Sequence, residues 1–189
     1  MSDIFRSVDR QLFVAGRFAG AKGANGHDVI DPATEQRLGM AAEASATEVD
    51  EAIAVANQVQ PKWWRAHSGL ERAQKLHEVA TLIKTLQPRL AEALTREMGK
   101  PYKESVDEVS WTISAFDYYA EIARHEMGRI YAPSMSGQLH CSIKEPLGVA
   151  VLIMPYNFPL LLFAWQAAAA LGAGNAVIVK PSEITSLTT

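Results

Sequence analysis

Gly148-Val149-Ala150-Val151-Leu152-Ile153-Met154 and Ala176-Val177-Ile178-Val179, with the Ala- and Leu-rich run 160–171 between them, decide the fold. Each outer piece is a continuous apolar run rich in Val and Ile, which reads as a strand covered on both faces. The middle run holds about three helical turns without a breaker. Strand, helix, strand is a parallel βαβ unit, because parallel neighbours need a crossover between them. Gly172-Ala173-Gly174-Asn175 is the turn that ends the helix and feeds the second strand.

Polar chemistry gathers where each strand ends. The first runs into Met154-Pro155-Tyr156-Asn157-Phe158-Pro159 and the second into Lys180-Pro181-Ser182-Glu183. Both segments leave the carboxyl edge of the pair, where open α/β sheets bind ligands. Asn157, mounted between two prolines, can aim its amide at a developing oxyanion; equally, asparagine tolerates an awkward turn. Lys180 and Glu183 can hydrogen-bond a ribose diol beside a helix N-terminus, or can be a solvated lysine and a capping acid. Gly172-Ala173-Gly174 is not a dinucleotide fingerprint, because Val177 stands where the third glycine belongs and the turn leads into a strand. Cys141 is a poor nucleophile candidate, since His140 and Ser142 adjoin it and neighbours on a strand point to opposite faces. Trp63, Trp64, Trp111, Tyr118 and Tyr119 are expected in the core, with an aromatic binding surface as the competing reading.

Residues 147–179 contain no Asp, Glu, Lys or Arg, a span long enough to cross a bilayer. The two turns cut it into short pieces, however, and a buried α/β core is expected, with a membrane hairpin as the competing reading. The whole chain of 189 residues is 48% hydrophobic with a net charge of −3, an ordinary globular balance without the basic stripe that nucleic acid requires. Its single cysteine forbids an internal disulfide and suits a reducing, cytoplasmic setting, and the five histidines lack metal-ligand spacing. Residues 1–20 carry no apolar core of a secretory signal, so no nucleic acid, membrane or metal partner is expected.

Upstream, Leu12 to Gly16 and Asp28 to Pro32 read as short strands. Thr47 with Asp50 predicts a capped helix over about 48–60, with Val49, Ile53, Ala56 and Val59 or Gln60 at helical spacing. Ser68 with Glu71 predicts a second, with the stripe Leu70, Ala73, Leu76, Ala80 and Ile83. Pro88 is expected to restart a helix that Gly99-Lys100-Pro101 ends, and a long helix follows over 102–127, striped by Val106, Val109, Ile113, Phe116, Ala120 and Ala123. Gln138 to Lys144 alternates as an exposed strand, and Ser182-Glu183 reads as the cap of a further helix.

Taken together, Glu145-Pro146-Leu147-Gly148-Val149, the segment Met154 to Pro159, and Ala173 through Glu183 resemble the NAD(P)-dependent aldehyde dehydrogenase superfamily in order and spacing. Asp31-Pro32-Ala33-Thr34, Trp64-Arg65-Ala66, Glu71-Arg72-Ala73 and Glu97-Met98-Gly99-Lys100-Pro101 resemble its N-terminal half. The resemblance implies an α/β fold: an incomplete parallel-sheet dinucleotide-binding domain over 1–134 and 146–189, an N-terminal helical region, and an oligomerisation strand over 135–145 that holds Cys141. It implies an oxidoreductase that oxidises an aldehyde to a carboxylic acid through a cysteine thioester. Asn157 is then the oxyanion amide, and Ile153, Met154, Pro155 and Tyr156 line the nicotinamide, Tyr156 standing where many members carry tryptophan. Lys180, Ser182 and Glu183 lie at the adenine ribose, where a carboxylate repels a 2′-phosphate and favours NAD over NADP.

In that superfamily the catalytic cysteine, the general-base glutamate and a second glycine-rich turn come later than Thr189, and Cys141 precedes the Asn157 motif. The expectation is the N-terminal part of a longer homo-oligomeric enzyme, inactive alone, without its catalytic domain. The alternative is a non-enzymatic module that pairs with full-length relatives.

Overall fold

The computed structural model describes residues 3–22, 25–125 and 128–189. After a single 3-10 turn at Asp3–Phe5, strands β1 (Gln11–Val14) and β2 (Arg17–Gly20) form an antiparallel hairpin across Ala15 and Gly16, both at positive φ. Strands β3 (Gly26–Ile30) and β4 (Arg37–Ala42) form a second antiparallel pair. Between them an Asp31 carboxylate oxygen accepts the Ala33 and Thr34 N–H groups, which turns the chain at Pro32. The expected strands at 12–16 and 28–32 correspond to β1 and β3. Their partners leave no mark in the sequence pattern, because β2 is exposed throughout and β4 is interrupted by Gly39.

Helix α1 (Ala46–Ala66) begins two residues before the predicted start and runs six past the predicted end. Its capping box is Ser45 with Glu48 rather than Thr47 with Asp50, and Pro61 lies inside it. Of the residues at that spacing, Ala56 is buried and Gln60 half-buried, whereas Val49, Ile53 and Val59 are exposed. The helix is held instead by its last turns, where Trp63 donates its indole N–H to the Leu171 carbonyl at 3.1 Å. Helix α2 (Gly69–Met98) has the predicted Ser68–Glu71 box and ends at Gly99 in the left-handed conformation. It passes straight through Pro88 rather than restarting there. A proline inside a helix costs about 3 kcal/mol, and burial of Ala91, Ala93 and Leu94 just beyond it offsets that cost.

Helix α3 (Tyr102–His125) matches its prediction, the expected last two residues lying outside the described ones. Ala73, Leu76 and Ala80 of α2 meet Ala115, Phe116 and Ala120 of α3 in the main core. Strand β5 (Arg129–Tyr131) then pairs antiparallel with β6 (His140–Ser142), inside the predicted exposed stretch.

The deciding stretch folds as strand β7 (Val149–Ile153), helix α4 (Pro159–Gly172) and strand β8 (Ala176–Lys180), with β7 and β8 parallel in the register Val149↔Ala176 through Ile153↔Lys180. Helix α4 adds Ala164 and Ala168 to the core of α2 and α3, and packs Ala167 against Leu152 and Met154. Gly174, at positive φ, passes so close to the Trp64 ring that any side chain there would collide with it. The expected burial of β7 on both faces is not met: Val151 and Ile153 are 61% and 70% exposed, because α4 covers only the alternate residues. Among the described residues, no helix is long and apolar enough to cross a membrane.

Candidate functional site

The two polar segments meet at one edge. Ile153 and Lys180 are register partners, and the Met154 N–H donates to the Lys180 carbonyl at 2.9 Å, so the chain leaving β7 is tied to the chain leaving β8. Ile153, Pro155, Tyr156 and Asn157 are exposed there, while Met154 turns its side chain into the core. Met154 is buried and meets the edge through its bond to the Lys180 carbonyl.

From β8, Lys180 Nζ lies 3.7 Å from Glu183 Oε2, with both side chains more than 60% exposed. The Glu183 N–H and the Lys180 ammonium hold this carboxyl below its usual range, so it is charged at neutral pH. Ser182 differs from its neighbours: it is buried, and its hydroxyl accepts the Ile184 N–H at 3.3 Å. The expected helix after Ser182 is a succession of turns within the described residues. His27 reaches this segment from β3, with Nε2 at 2.7 Å from the Glu183 carbonyl.

Beneath the edge lie charged groups to which the sequence reading gave no role. Helix α4 opens with Phe158-Pro159 and has no capping side chain of its own. Glu108 of α3 supplies the cap: its Oε1 accepts the Leu160 and Leu161 N–H groups at 2.9 and 3.3 Å. Its other oxygen is bound by Lys100 Nζ, which also donates to the Asn157 carbonyl at 2.9 Å and lies 4.1 Å from the Phe158 ring centroid. Both charged side chains are buried. Glu97 of α2 plays a similar part for the segment after β8, accepting the Leu187 and Thr188 N–H groups at 2.6 and 2.9 Å and the Thr188 hydroxyl. Burial pushes its pKa up to about 7 against the pull of those hydrogen bonds. A sequence signal did exist for Glu108: it falls on the face of α3 that buries Ser105, Val109 and Thr112, where an unpaired charge is not tolerated.

Beside the first turn of α4 is an open cavity of about 470 Å³, lined by Trp111, Ser114, Tyr118, Tyr119, Leu161 and Trp165. The placement of Trp111 and Tyr118 in the core is thus corrected: both are exposed, facing away from the contact between α2 and α3. The Trp111 and Phe158 rings lie 6.4 Å apart, which joins this wall to the Asn157 segment. Trp63 and Trp64 are half-buried rather than core, the Arg72 guanidinium lying 4.6 Å from the centre of the Trp64 ring. Cys141 is exposed on β6. The Gly172-Ala173-Gly174 turn serves packing, and Asn175 fastens it by accepting the Gly148 N–H and donating to the Ala170 carbonyl.

Comparison with known proteins is consistent along the chain. The model of the aldehyde dehydrogenase family matches residues 18–189. The betaine aldehyde dehydrogenase of Bacillus subtilis is 34% identical over 183 residues, which are 96% of this chain and 37% of that protein. Among solved structures, an NADP-dependent enzyme of E. coli superposes with a TM-score of 0.91 at 32% identity, over 95% of this chain and 37% of its own. A variant betaine aldehyde dehydrogenase of Staphylococcus aureus, solved with NAD+, superposes at 0.90 with 29% identity, over 95% and 36%. The chain therefore spans little more than a third of the length of the relatives it matches.

Proposed function

The chain belongs to the aldehyde dehydrogenase family, and from that premise we propose that it forms the N-terminal part of an NAD-dependent enzyme oxidising an aldehyde to a carboxylic acid. The observation that carries this reading is the Met154–Lys180 hydrogen bond, which joins the Asn157 segment and the Lys180–Glu183 pair into one exposed edge. NAD, when bound, supplies the hydride acceptor. The segment Ile153, Met154, Pro155 and Tyr156 lines the nicotinamide side, and Lys180 and Glu183 offer a donor and an acceptor to the ribose hydroxyls. Ser182 contributes by bracing the turn that presents Glu183. A charged Glu183 repels a 2′-phosphate, which favours NAD over NADP. Asn157 donates its side-chain amide to the oxyanion that forms when the aldehyde carbon is attacked. In this reading the attacking thiol and the general base belong to the rest of the enzyme, and Cys141, exposed on β6, is given no part in the attack.

The aromatic cavity beside Phe158 suits an aldehyde with an apolar or cationic tail, since Trp and Tyr faces attract both. Titrating the chain with NAD and NADP tests the cofactor assignment. NAD binds more tightly, Glu183→Gln narrows the difference, and Lys180→Ala weakens both; absence of binding at millimolar nucleotide rejects the reading. Steady NADH formation from NAD and an aldehyde by this chain rejects the assignment of the nucleophile elsewhere.

A second role is favoured by the β5–β6 hairpin, whose Ile130 and the following Leu139 are 79% and 76% exposed. We assign this arm to contacts between copies of the chain or with full-length relatives.

A further inference from the structure

We infer that Lys100 and Glu108 are positioning residues for Asn157, a role that rests on Asn157 being the oxyanion donor. Asn157 is exposed and no hydrogen bond holds its side-chain amide among the described contacts, so its aim depends on the peptide that carries it. That peptide is fixed from below. The Lys100 ammonium donates to the Asn157 carbonyl, and Glu108 holds Lys100 with one oxygen and the Leu160 and Leu161 N–H groups with the other. One buried ion pair thus clamps the chain on both sides of Phe158, at the Asn157 carbonyl and at the first turn of α4. A helix N-cap alone needs only an acceptor, which a short side chain at position 158 could provide. The added cation has a separate consequence: it orients the one carbonyl that precedes the helix, and with it the Cα–Cβ direction of Asn157.

The two parts of the clamp are separable by substitution. In Lys100→Met with Glu108→Gln, the amide oxygen introduced at position 108 still accepts from Leu160 and Leu161, no buried charge is stranded, and the Asn157 carbonyl loses its donor. The chain has four asparagines, so nitrogen-15 asparagine labelling resolves the backbone and side-chain amides of Asn157 for relaxation measurements. In the unsubstituted chain, the Asn157 backbone amide relaxes as rigidly as helix α4, and its side-chain amide keeps a restricted range of orientations. In the double variant, thermal unfolding and hydrogen exchange at Leu160 and Leu161 stay near their original values, while both Asn157 amides become mobile. Glu108→Gln alone, if it folds, raises exchange at Leu160 and Leu161 by about tenfold or more, through the stranded Lys100.

A mobile Asn157 backbone in the unsubstituted chain overturns the proposal, as does a folded double variant whose Asn157 remains as ordered as before. A purely structural ion pair predicts that second result, because restored stability would restore Asn157. The readout is order rather than turnover, so the two readings fail separately. A chain that binds no NAD but shows the expected loss of order keeps the clamp and loses the function. A chain that binds NAD with Asn157 indifferent to both substitutions does the reverse.

Discussion

Glu108 and Glu97 are carboxylates at nearly full burial, and they differ in what faces them. Glu108 meets a buried cation and two N–H groups, so removing it leaves Lys100 without a counter-charge. Glu108→Ala is expected to lose about 3–5 kcal/mol in urea unfolding, the usual cost of breaking a buried pair by one partner. Glu97 meets donors that carry no formal charge, and burial raises its pKa from 4.5 to about 7. Between those two values the folded chain holds a proton that the unfolded chain has released. The stability contributed by neutral Glu97 is therefore fully present below about pH 4.5 and is lost as pH rises through about 7. Comparing urea midpoints at about pH 5 and about pH 8 tests this: the decline should be shallower in Glu97→Gln, which stays neutral throughout. An unchanged decline in that variant assigns the pH dependence elsewhere.

At the scale of elements, α2 and α3 carry a second titrating contact whose sign is the same but whose cause is opposite. His77 of α2 lies 2.7 Å from Asp117 and 3.0 Å from Glu121 on α3, and both acids raise its pKa. The charged imidazole joins the helices, so this contribution is present below the ordinary histidine range and fades as pH rises through the raised value. His77→Gln should abolish that portion of the pH dependence while leaving the midpoint at alkaline pH unchanged, and a lowered alkaline midpoint speaks against it. What the sequence revealed and hid divides along the same line between local and distant partners. The Ser68–Glu71 box, the Gly99 stop and the parallel β7–α4–β8 unit were legible because each is written in neighbouring residues. The run of α2 through Pro88, the exposed outer face of α1 and the solvent-facing Trp111 were not, since each depends on which surface a distant element covers. The site divides likewise. Asn157, Lys180 and Glu183 follow from their strand ends, whereas Lys100, Glu108 and Glu97 act on residues between 52 and 91 positions away along the chain, through contacts that only the packing of α2 and α3 creates.

For the molecule as a whole, the distribution of apolar surface says where contacts with other chains belong. In the helical core Ala73, Leu76, Phe116, Ala120 and Ala164 are buried against one another. The β5–β6 hairpin is different: a two-stranded ribbon with exposed Ile130, Tyr131, Leu139 and Ile143 is marginal in water by itself, and its outer strand edges offer unpaired backbone groups. An isolated ribbon of this kind gains most by adding strands from a second copy, which would cover those residues together. The chain is accordingly expected to associate at micromolar concentration in sedimentation velocity. Ile130→Lys with Leu139→Lys, at positions outside the cofactor edge, should shift it toward monomer by like-charge repulsion. NAD affinity is the internal control, because the β7–β8 edge does not draw on the hairpin. If the double lysine variant binds NAD as before and sediments as a monomer, the arm is an assembly element separate from the nucleotide site. If the unsubstituted chain is itself monomeric at those concentrations, the exposed ribbon does not bring copies together, and the pairing role assigned to it fails.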